Sequence, residues 1–520
     1  MRALRLLFVA LLLPLSASAQ TKAATPPPNF DAYVAAVMKQ FEVPGMGIAI
    51  VKNGQVVLAK GYGVKRLGSS EKVDADTRFG IASNTKAFTA LALGMLVEEG
   101  KLEWDAPVVN YLPEFMMWDS WVTRQITVRD LLVHRSGLGL GAGDLLWWPP
   151  STYTAPEIMH RLRYIEPATS FRSAYAYDNV LYLVAGQLIE RVSGETWSDF
   201  ITNRIMRPVG MKEAITMSAP SAANGNASAT HARVNGSVQV VKPFAEPNTD
   251  PAAGINAGAN DMARWMIAQM DSGRVGSTQL WKASTTRQQW TLVTPVPFGP
   301  APKELAPYTA NFAGYALGFN VRDYRGQKLV THTGGLPGYV SLLMMLPNQK
   351  VGVMVLTNQE SGAAFMSVGL KVLDYYLNAP PFDWLAGYTA RMARVDSMMA
   401  AANQATAAAR DSASRPSLPL ASYAVTYEDP WYGTITVSVK GSGLVMQFDK
   451  SPDLVGDLEH WQYDTWLVKW RDRELRADAF VTFTLDEAGK VAGATMKPAS
   501  PEVDFSFDFQ DLHLTPVRKP

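Results

Sequence analysis

The chain has 520 residues, 47% of them hydrophobic and 18% charged, with 14 Trp, 19 Tyr and 20 Phe; that suffices for about two to four packed domains and excludes wholesale disorder. Its 48 basic and 47 acidic residues leave a formal net charge of +1, spread without long single-sign blocks, so the electrostatic footprint of a nucleic-acid binder is missing. The absence of cysteine excludes a disulfide framework, a thiolate nucleophile, thiolate metal ligands and a lipidated N-terminal cysteine.

Arg2 and Arg5, the apolar run Leu6 to Leu15 and the small-residue stretch Ala17-Ser18-Ala19 read as a secretory signal peptide over residues 1–19, which predicts an exported, periplasmic or secreted chain. That run is shorter than the ~20 residues of a spanning helix, and no later segment of that length is free of charge, so no transmembrane anchor is expected in the mature protein. After Pro26, Pro27 and Pro28, two Val/Ile/Leu-rich runs between Gly47 and Gly63 flank Asn53-Gly54, which predicts a β-hairpin. Ser83 to Glu99 is apolar almost all round and ends at Gly100, the pattern of a buried helix with a glycine cap. Helices are also expected over Val128 to Leu132, Ala155 to Tyr164, Val180 to Val192 and Asn260 to Gln269.

Strands resume near Tyr315, and Leu329 to Thr333, Val340 to Leu346 and Val351 to Thr357 form a meander with a turn at Pro347-Asn348-Gln349-Lys350. Strands at both ends with helices between them predict an α/β or α+β domain whose terminal segments share one sheet. An Ala/Met-rich helix and the Ser/Pro-rich stretch Ser412 to Pro419 make a linker over 384–419. Residues 420–520 alternate polar and apolar side chains, as in Thr434 to Val439 and Phe480 to Leu485, with turns at Gly441, Gly443 and Gly489: a small antiparallel barrel or sandwich.

S-x-x-K occurs twice. Ser69 to Lys72 lies in a polar loop and reads as a solvated turn, whereas Ser83 to Lys86 opens the buried helix, where residues three apart share a face. A serine hydroxyl needs a base, and a lysine serves only if burial or nearby positive charge lowers its pKa. Tyr-x-Asn also occurs twice. Tyr376-Leu377-Asn378 ends an apolar stretch and packs; Tyr177-Asp178-Asn179 precedes a new helix, where the tyrosine can relay protons and Asn179 can orient substrate amides. His332-Thr333-Gly334-Gly335 ends a predicted strand whose edge a substrate can join, with His332, Thr333 and Gly334 at the substrate and the backbone N–H groups of Gly335 and Ser83 as an oxyanion hole.

In this order the three motifs resemble the signature of serine penicillin-recognising enzymes, whose last motif is more often Lys-Thr-Gly. Thr127 to Leu138 and Ile205 to Met211 resemble segments of the class C β-lactamase-like serine hydrolases, and the likeness covers roughly residues 30–380. In that group the first of these segments is chiefly structural, which implies a buried, hydrogen-bonded His134. Gly456 to Trp461 and Asp504 to Phe509 resemble the lipocalin-like appendage of some members, including D-amino-acid-specific peptidases. The resemblance implies a hydrolase domain over 20–383, its site between a sheet and a helical subdomain, followed by a barrel. Two departures stand out: His332 replaces the commoner lysine, as in DD-peptidase and D-aminopeptidase relatives, and Asp178 sits between Tyr177 and Asn179. The loop Trp147-Trp148-Pro149-Pro150 reads as packing rather than as a cleft wall.

The expected chemistry is acyl transfer at Ser83 with Lys86 and Tyr177 as proton carriers and no metal or organic cofactor. G-x-S-x-G and H-E-x-x-H are absent. The expected partner is a small-molecule or peptide substrate, foremost a peptide with D-residues or a peptidoglycan fragment, with carboxyl esters and β-lactams as alternatives. A non-catalytic penicillin-binding or sensor protein is the rival class, and homo-oligomerisation is left open.

Overall fold

The computed structural model describes residues 25–219 and 225–517; the signal-peptide segment lies outside them. An eight-stranded antiparallel sheet forms the spine of the first domain. Its strands are β1 (Gly45–Lys52), β2 (Gln55–Gly63), β3 (Thr294–Pro295), β4 (Ala313–Tyr315), β5 (Asn320–Tyr324), β6 (Gln327–Leu336), β7 (Tyr339–Leu346) and β8 (Val351–Thr357), in the spatial order β3-β4-β5-β6-β7-β8-β1-β2. The chain's first strand thus pairs with the last, Ile48 opposite Val355, and the two ends of the domain close one sheet as the pattern predicts. Asn53 (φ 52°) and Gly54 (φ 74°) turn β1 into β2 with the two positive φ angles that a type I′ hairpin requires.

Both faces of the sheet are covered. Ile48, Ile50, Val353 and Val355 enter a core shared with α1 (Phe30–Gln40), while their neighbours Ala49, Val51, Met354 and Leu356 enter the larger core on the other side. Because alternate residues are buried on opposite faces, β8 reads as an unbroken apolar run. On the second side, α2 (Lys86–Glu98) packs against α3 (Val180–Ser193), and α4 (Ala259–Met270) lies across β1, β2 and β8. Every residue of α2 from Lys86 to Leu96 is buried. The first outer face is completed by α5 (Gly362–Leu377), followed by α6 (Trp384–Ala408), which packs on it through Trp384 and Tyr388. Tyr376 of α5 is buried and Asn378 caps that helix in the left-handed region, so this second Tyr-x-Asn is a helix end. One expected helix is reduced: Val128 to Leu132 yields only a 3₁₀ turn, Asp130–Leu132, in a segment whose Val128 and Arg129 N–H groups donate to the Ala106 and Trp104 carbonyls.

Beyond the linker, eight strands from β9 (Thr426–Asp429) to β16 (His513–Pro516) form a closed antiparallel barrel, sealed where Tyr427 pairs with Pro516. Aromatic rings fill it: Phe448 lies 5.6 Å from Trp470, and Trp470 lies 5.8 Å from Phe509. Its loops dock on the hydrolase domain. The Thr152 N–H donates to the Lys450 carbonyl (2.8 Å), the Arg161 guanidinium to the Trp431 carbonyl (2.9 Å), and Arg476 forms a two-pronged ion pair with Glu360 (2.6 and 2.8 Å). Trp148 meets Phe507 edge-on at 6.4 Å, so the apolar cores of the two domains run into each other.

Candidate active site

The short strand Phe79–Gly80 feeds a 3₁₀ turn, Ala82–Thr85, that leads directly into α2. Ala82 has φ 49°, the left-handed region that a residue with a Cβ enters at a cost of order 1 to 3 kcal/mol. The turn is pinned from both sides. The Ile81 N–H donates to the Ile255 carbonyl (2.9 Å) and Thr85 Oγ1 accepts from the Ile255 N–H (3.1 Å), while Ser341 on β7 donates to the Ile81 carbonyl (2.7 Å) and accepts from the Asn84 amide (2.8 Å). Ser83 is thereby presented half-buried at the seam between sheet and helices.

Lys86 is completely buried. Its Nζ donates to Asn179 Oδ1 (2.7 Å), Ser83 Oγ (3.1 Å) and the Ala252 carbonyl (3.2 Å). Burial pushes the ammonium down to about 7, against the opposing pull of the Asp144 and Asp178 carboxylates. The Lys86 Nζ stands 5.0 Å from the Tyr177 ring centroid. The Tyr177 phenol is held well above its ordinary value by burial, with a hydrogen bond to Ser83 opposing the shift. His134 is fully buried, lies 4.2 Å from the Tyr177 ring and accepts the Asp178 N–H at Nδ1 (3.2 Å). The Asp178 carboxylate turns away from the cleft to accept the Ser136 hydroxyl (3.2 Å).

The structure thus brings Ser83, Lys86, Tyr177 and Asn179 together, with the end of β6 beside them. Gly334 is needed there, since a Cβ would lie 2.2 Å from the Ile81 carbonyl; Gly335 has no such neighbour and is exposed, as is Thr333. His332 differs from expectation. It is buried, Nε2 is paired with the Tyr315 hydroxyl (2.8 Å) and Nδ1 with the Thr333 carbonyl (2.5 Å), so neither ring nitrogen is free for a substrate as the strand is placed. Burial pushes His332 down to about 3, and its imidazole is neutral. The Trp147–Pro150 loop does both jobs: Trp147 and Trp148 are buried, and Trp148, Pro149 and Pro150 wall the cleft.

The cleft that they wall encloses about 320 Å³ between Gly335 and Leu336 of β6, the Trp148–Pro150 loop, Phe244, and barrel residues that include Arg476, Asp504 and Phe507; it adjoins the site at Gly335, and Ser83, Lys86, Tyr177 and Asn179 are not among its lining residues. Sequence reasoning missed two participants. Asp144 opens the short 3₁₀ turn Asp144–Leu146 after Gly143 with no motif around it, and Ser506 lies in the barrel segment Asp504 to Asp508, whose alternation looks like a strand and is a loop. Among the described residues no cluster of His, Asp or Glu is arranged to hold a metal ion, and no helix is long and apolar enough to cross a membrane.

A covered antiparallel sheet with a serine and a buried lysine at its seam with a helical subdomain is the architecture of the β-lactamase and penicillin-binding serine hydrolases. The chain belongs to the beta-lactamase family, whose profile matches residues 30–374; residues 409–516 match a domain of unknown function, DUF3471. Its relatives include an Unguisins hydrolase, ungD, of Aspergillus violaceofuscus, 29% identical over an alignment of 432 positions that covers 78% of this chain and 76% of the relative. Protein flp of Staphylococcus aureus is 26% identical over 334 residues, covering 64% of this chain and 63% of flp. The octameric penicillin-binding protein homologue from Pyrococcus abyssi superposes with a TM-score of 0.58 at 20% identity, covering 93% of this chain and 98% of that one. A D-stereospecific amidohydrolase from Streptomyces sp. superposes with 0.53 at 22% identity, covering 66% and 98%. At these identities the structural likeness establishes the fold alone.

Ser341→Ala should remove one acceptor and one donor at the Ser83 turn, leaving the Asn84 side-chain amide without its acceptor and the Ile81 carbonyl with only the Asn84 N–H (3.2 Å), at a cost of about 1 to 3 kcal/mol. Denaturant titration is expected to show the loss of stability, and the acylation rate at Ser83 should fall with it.

Proposed function

We propose that this protein is a serine hydrolase that acylates on Ser83 with neutral Lys86 as the base. The observation that carries the reading is a fully buried amine 3.1 Å from the serine hydroxyl, held near neutrality by desolvation. In this reaction the Ser83 proton passes to Lys86 Nζ as Oγ bonds the carbonyl carbon, and the oxyanion lies between the backbone N–H groups of Ser83 and Gly335. The bond to the leaving amine or alkoxide then breaks, and the leaving group takes its proton through Tyr177, which Lys86 reprotonates. Because Tyr177 stays a phenol to high pH, it serves as a proton relay and not as a standing phenolate. Water hydrolyses the acyl-enzyme by the same proton route in reverse. Asn179 positions Lys86 and the substrate amide; Thr333 and Gly334 at the strand edge hold the substrate backbone; His332 supports that strand through Tyr315.

Amide bonds of peptides with D-residues or of peptidoglycan-type fragments are the first-choice substrates. The His-Thr-Gly form of the third motif and the appended barrel favour them, and the relatedness to an Unguisins hydrolase agrees with hydrolysis in general. The cleft agrees in kind, with apolar walls of Trp148, Phe244 and Phe507 beside the charged Lys242, Arg476, Glu360 and Asp504, a setting for a short peptide. A carboxylesterase is the second reading, since the same site accepts activated esters; a β-lactamase is the third. The leader over residues 1–19 supports export, and N-terminal sequencing of protein recovered outside the cytoplasm should begin at Gln20.

Fluorophosphonate labelling is expected for the parent chain and lost in Ser83→Ala; equal labelling of both would defeat the assignment and favour the non-catalytic rival. A panel of D-peptides, L-peptides, short esters and a cephalosporin then ranks the substrates. With Lys86 active only when neutral, kcat/KM should fall about tenfold per pH unit below a midpoint near 7, and Tyr177 should cause no loss up to at least about pH 10. A profile flat from pH 5 to 9 would rule Lys86 out as the base.

A further inference from the structure

Asp144 is fully buried, yet its side chain receives three donors: Asn179 Nδ2 (2.8 Å) and Ser506 Oγ (2.8 Å) at Oδ2, and the Trp147 indole N–H (3.1 Å) at Oδ1. Two of these belong to the hydrolase domain and the third to the barrel. Asn179 is also the residue whose Oδ1 accepts from Lys86, so an unbroken chain of hydrogen bonds runs from the barrel through Ser506, Asp144 and Asn179 to Lys86 and Ser83. The barrel fixes the Asp144 loop a second time, for the Asp508 carboxyl accepts the Gly143 N–H (2.7 Å) and the Leu145 N–H (3.1 Å) on either side of it.

We propose that Asp144 is a positioning residue for the Ser83–Lys86 pair, acting through Asn179, and that Ser506 of the barrel completes its donor set, which makes the C-terminal domain part of the catalytic apparatus. The proposal rests on the reading of Lys86 as the base. Burial favours the neutral acid at Asp144, but its three hydrogen-bond partners, Asn179, Ser506 and the Trp147 indole, all donate to it and so favour the anion. An anion at Asp144 favours the ammonium at Lys86, so the donors around Asp144 decide how the pair shares its proton. The other groups facing Lys86 are Asp178, His134, His332, Tyr177 and Tyr182; those facing Asp144 are Asp504, Asp508 and Tyr177. None of them receives a hydrogen bond from the Ser506 hydroxyl except Asp504, whose proton balance that hydroxyl also touches.

The sign follows. Removing the Ser506 hydroxyl makes the Asp144 anion less favourable and leaves Lys86 neutral to lower pH; Asp144→Asn removes the anion altogether. The test is the rate of fluorophosphonate labelling of the full chain from pH 5 to 9 for the parent, Ser506→Ala, Asp144→Asn and the double variant, each checked by thermal melting. The acid midpoint should move down by about one pH unit in Asp144→Asn and by about half a unit in Ser506→Ala. In the Asp144→Asn background Ser506→Ala should cause no further shift. Slower labelling at every pH with an unmoved midpoint in Ser506→Ala would overturn the proposal, as would an undiminished Ser506→Ala shift in the absence of Asp144. A parent profile without an acid limb would instead overturn the Lys86 reading, and this proposal with it.

Discussion

The site depends on taking one amine out of water. Holding Lys86 at about 7 instead of its ordinary 10.5 represents roughly 5 kcal/mol of bias against the ammonium form, and the bias comes first from the absence of solvent. Every residue of α2 from Lys86 to Leu96 is buried, with α3 packed against the helix, so Lys86 opens an apolar interior and not a wet surface. Complete dryness would strand the amine. Asn179, Ser83 and the Ala252 carbonyl accept its protons, so it is desolvated yet not unpaired.

The second constraint is mechanical. Ser83 follows a residue in the left-handed region, on a turn tied to Ile255 on the helical side and to Ser341 on the sheet side. Neither half of the domain positions the hydroxyl alone. Gly334 lets β6 approach the Ile81 carbonyl closely, which brings the strand edge beside the Ser83 turn. Site and fold seam are therefore one place, as expected where strain is stored against two packed layers.

Much of this was legible in the sequence because periodicity and spacing are local. The Asn53-Gly54 hairpin, the all-apolar helix after Ser83, the meander to Thr357 and the alternation of the barrel strands each follow from side chains close along the chain. So did the contrast between Ser69-x-x-Lys72, whose lysine is exposed, and Ser83-x-x-Lys86, whose lysine is buried. What escaped depends on contacts between distant segments. His332 reads as a substrate ligand until Tyr315, on a neighbouring part of the sheet, takes its Nε2. Asp144 and Ser506 carry no motif, and their roles exist only once the barrel has docked. The Trp147–Pro150 loop reads as packing because nothing in its own sequence says that a barrel will stand opposite and turn its outer face into a wall.

The docked barrel has a temporal consequence. Ser506 and Asp508 lie far downstream of Ser83, Lys86 and Asn179 in the chain, and domains generally fold in the order of synthesis. The nucleophile, lysine and tyrosine are assembled long before the hydrogen-bond chain behind Asn179 has its final member. On the roles proposed for Asp144 and Ser506, a nascent chain would carry an incompletely wired site through translation, and its full reactivity would mature only when the barrel had closed on itself and settled against the finished core.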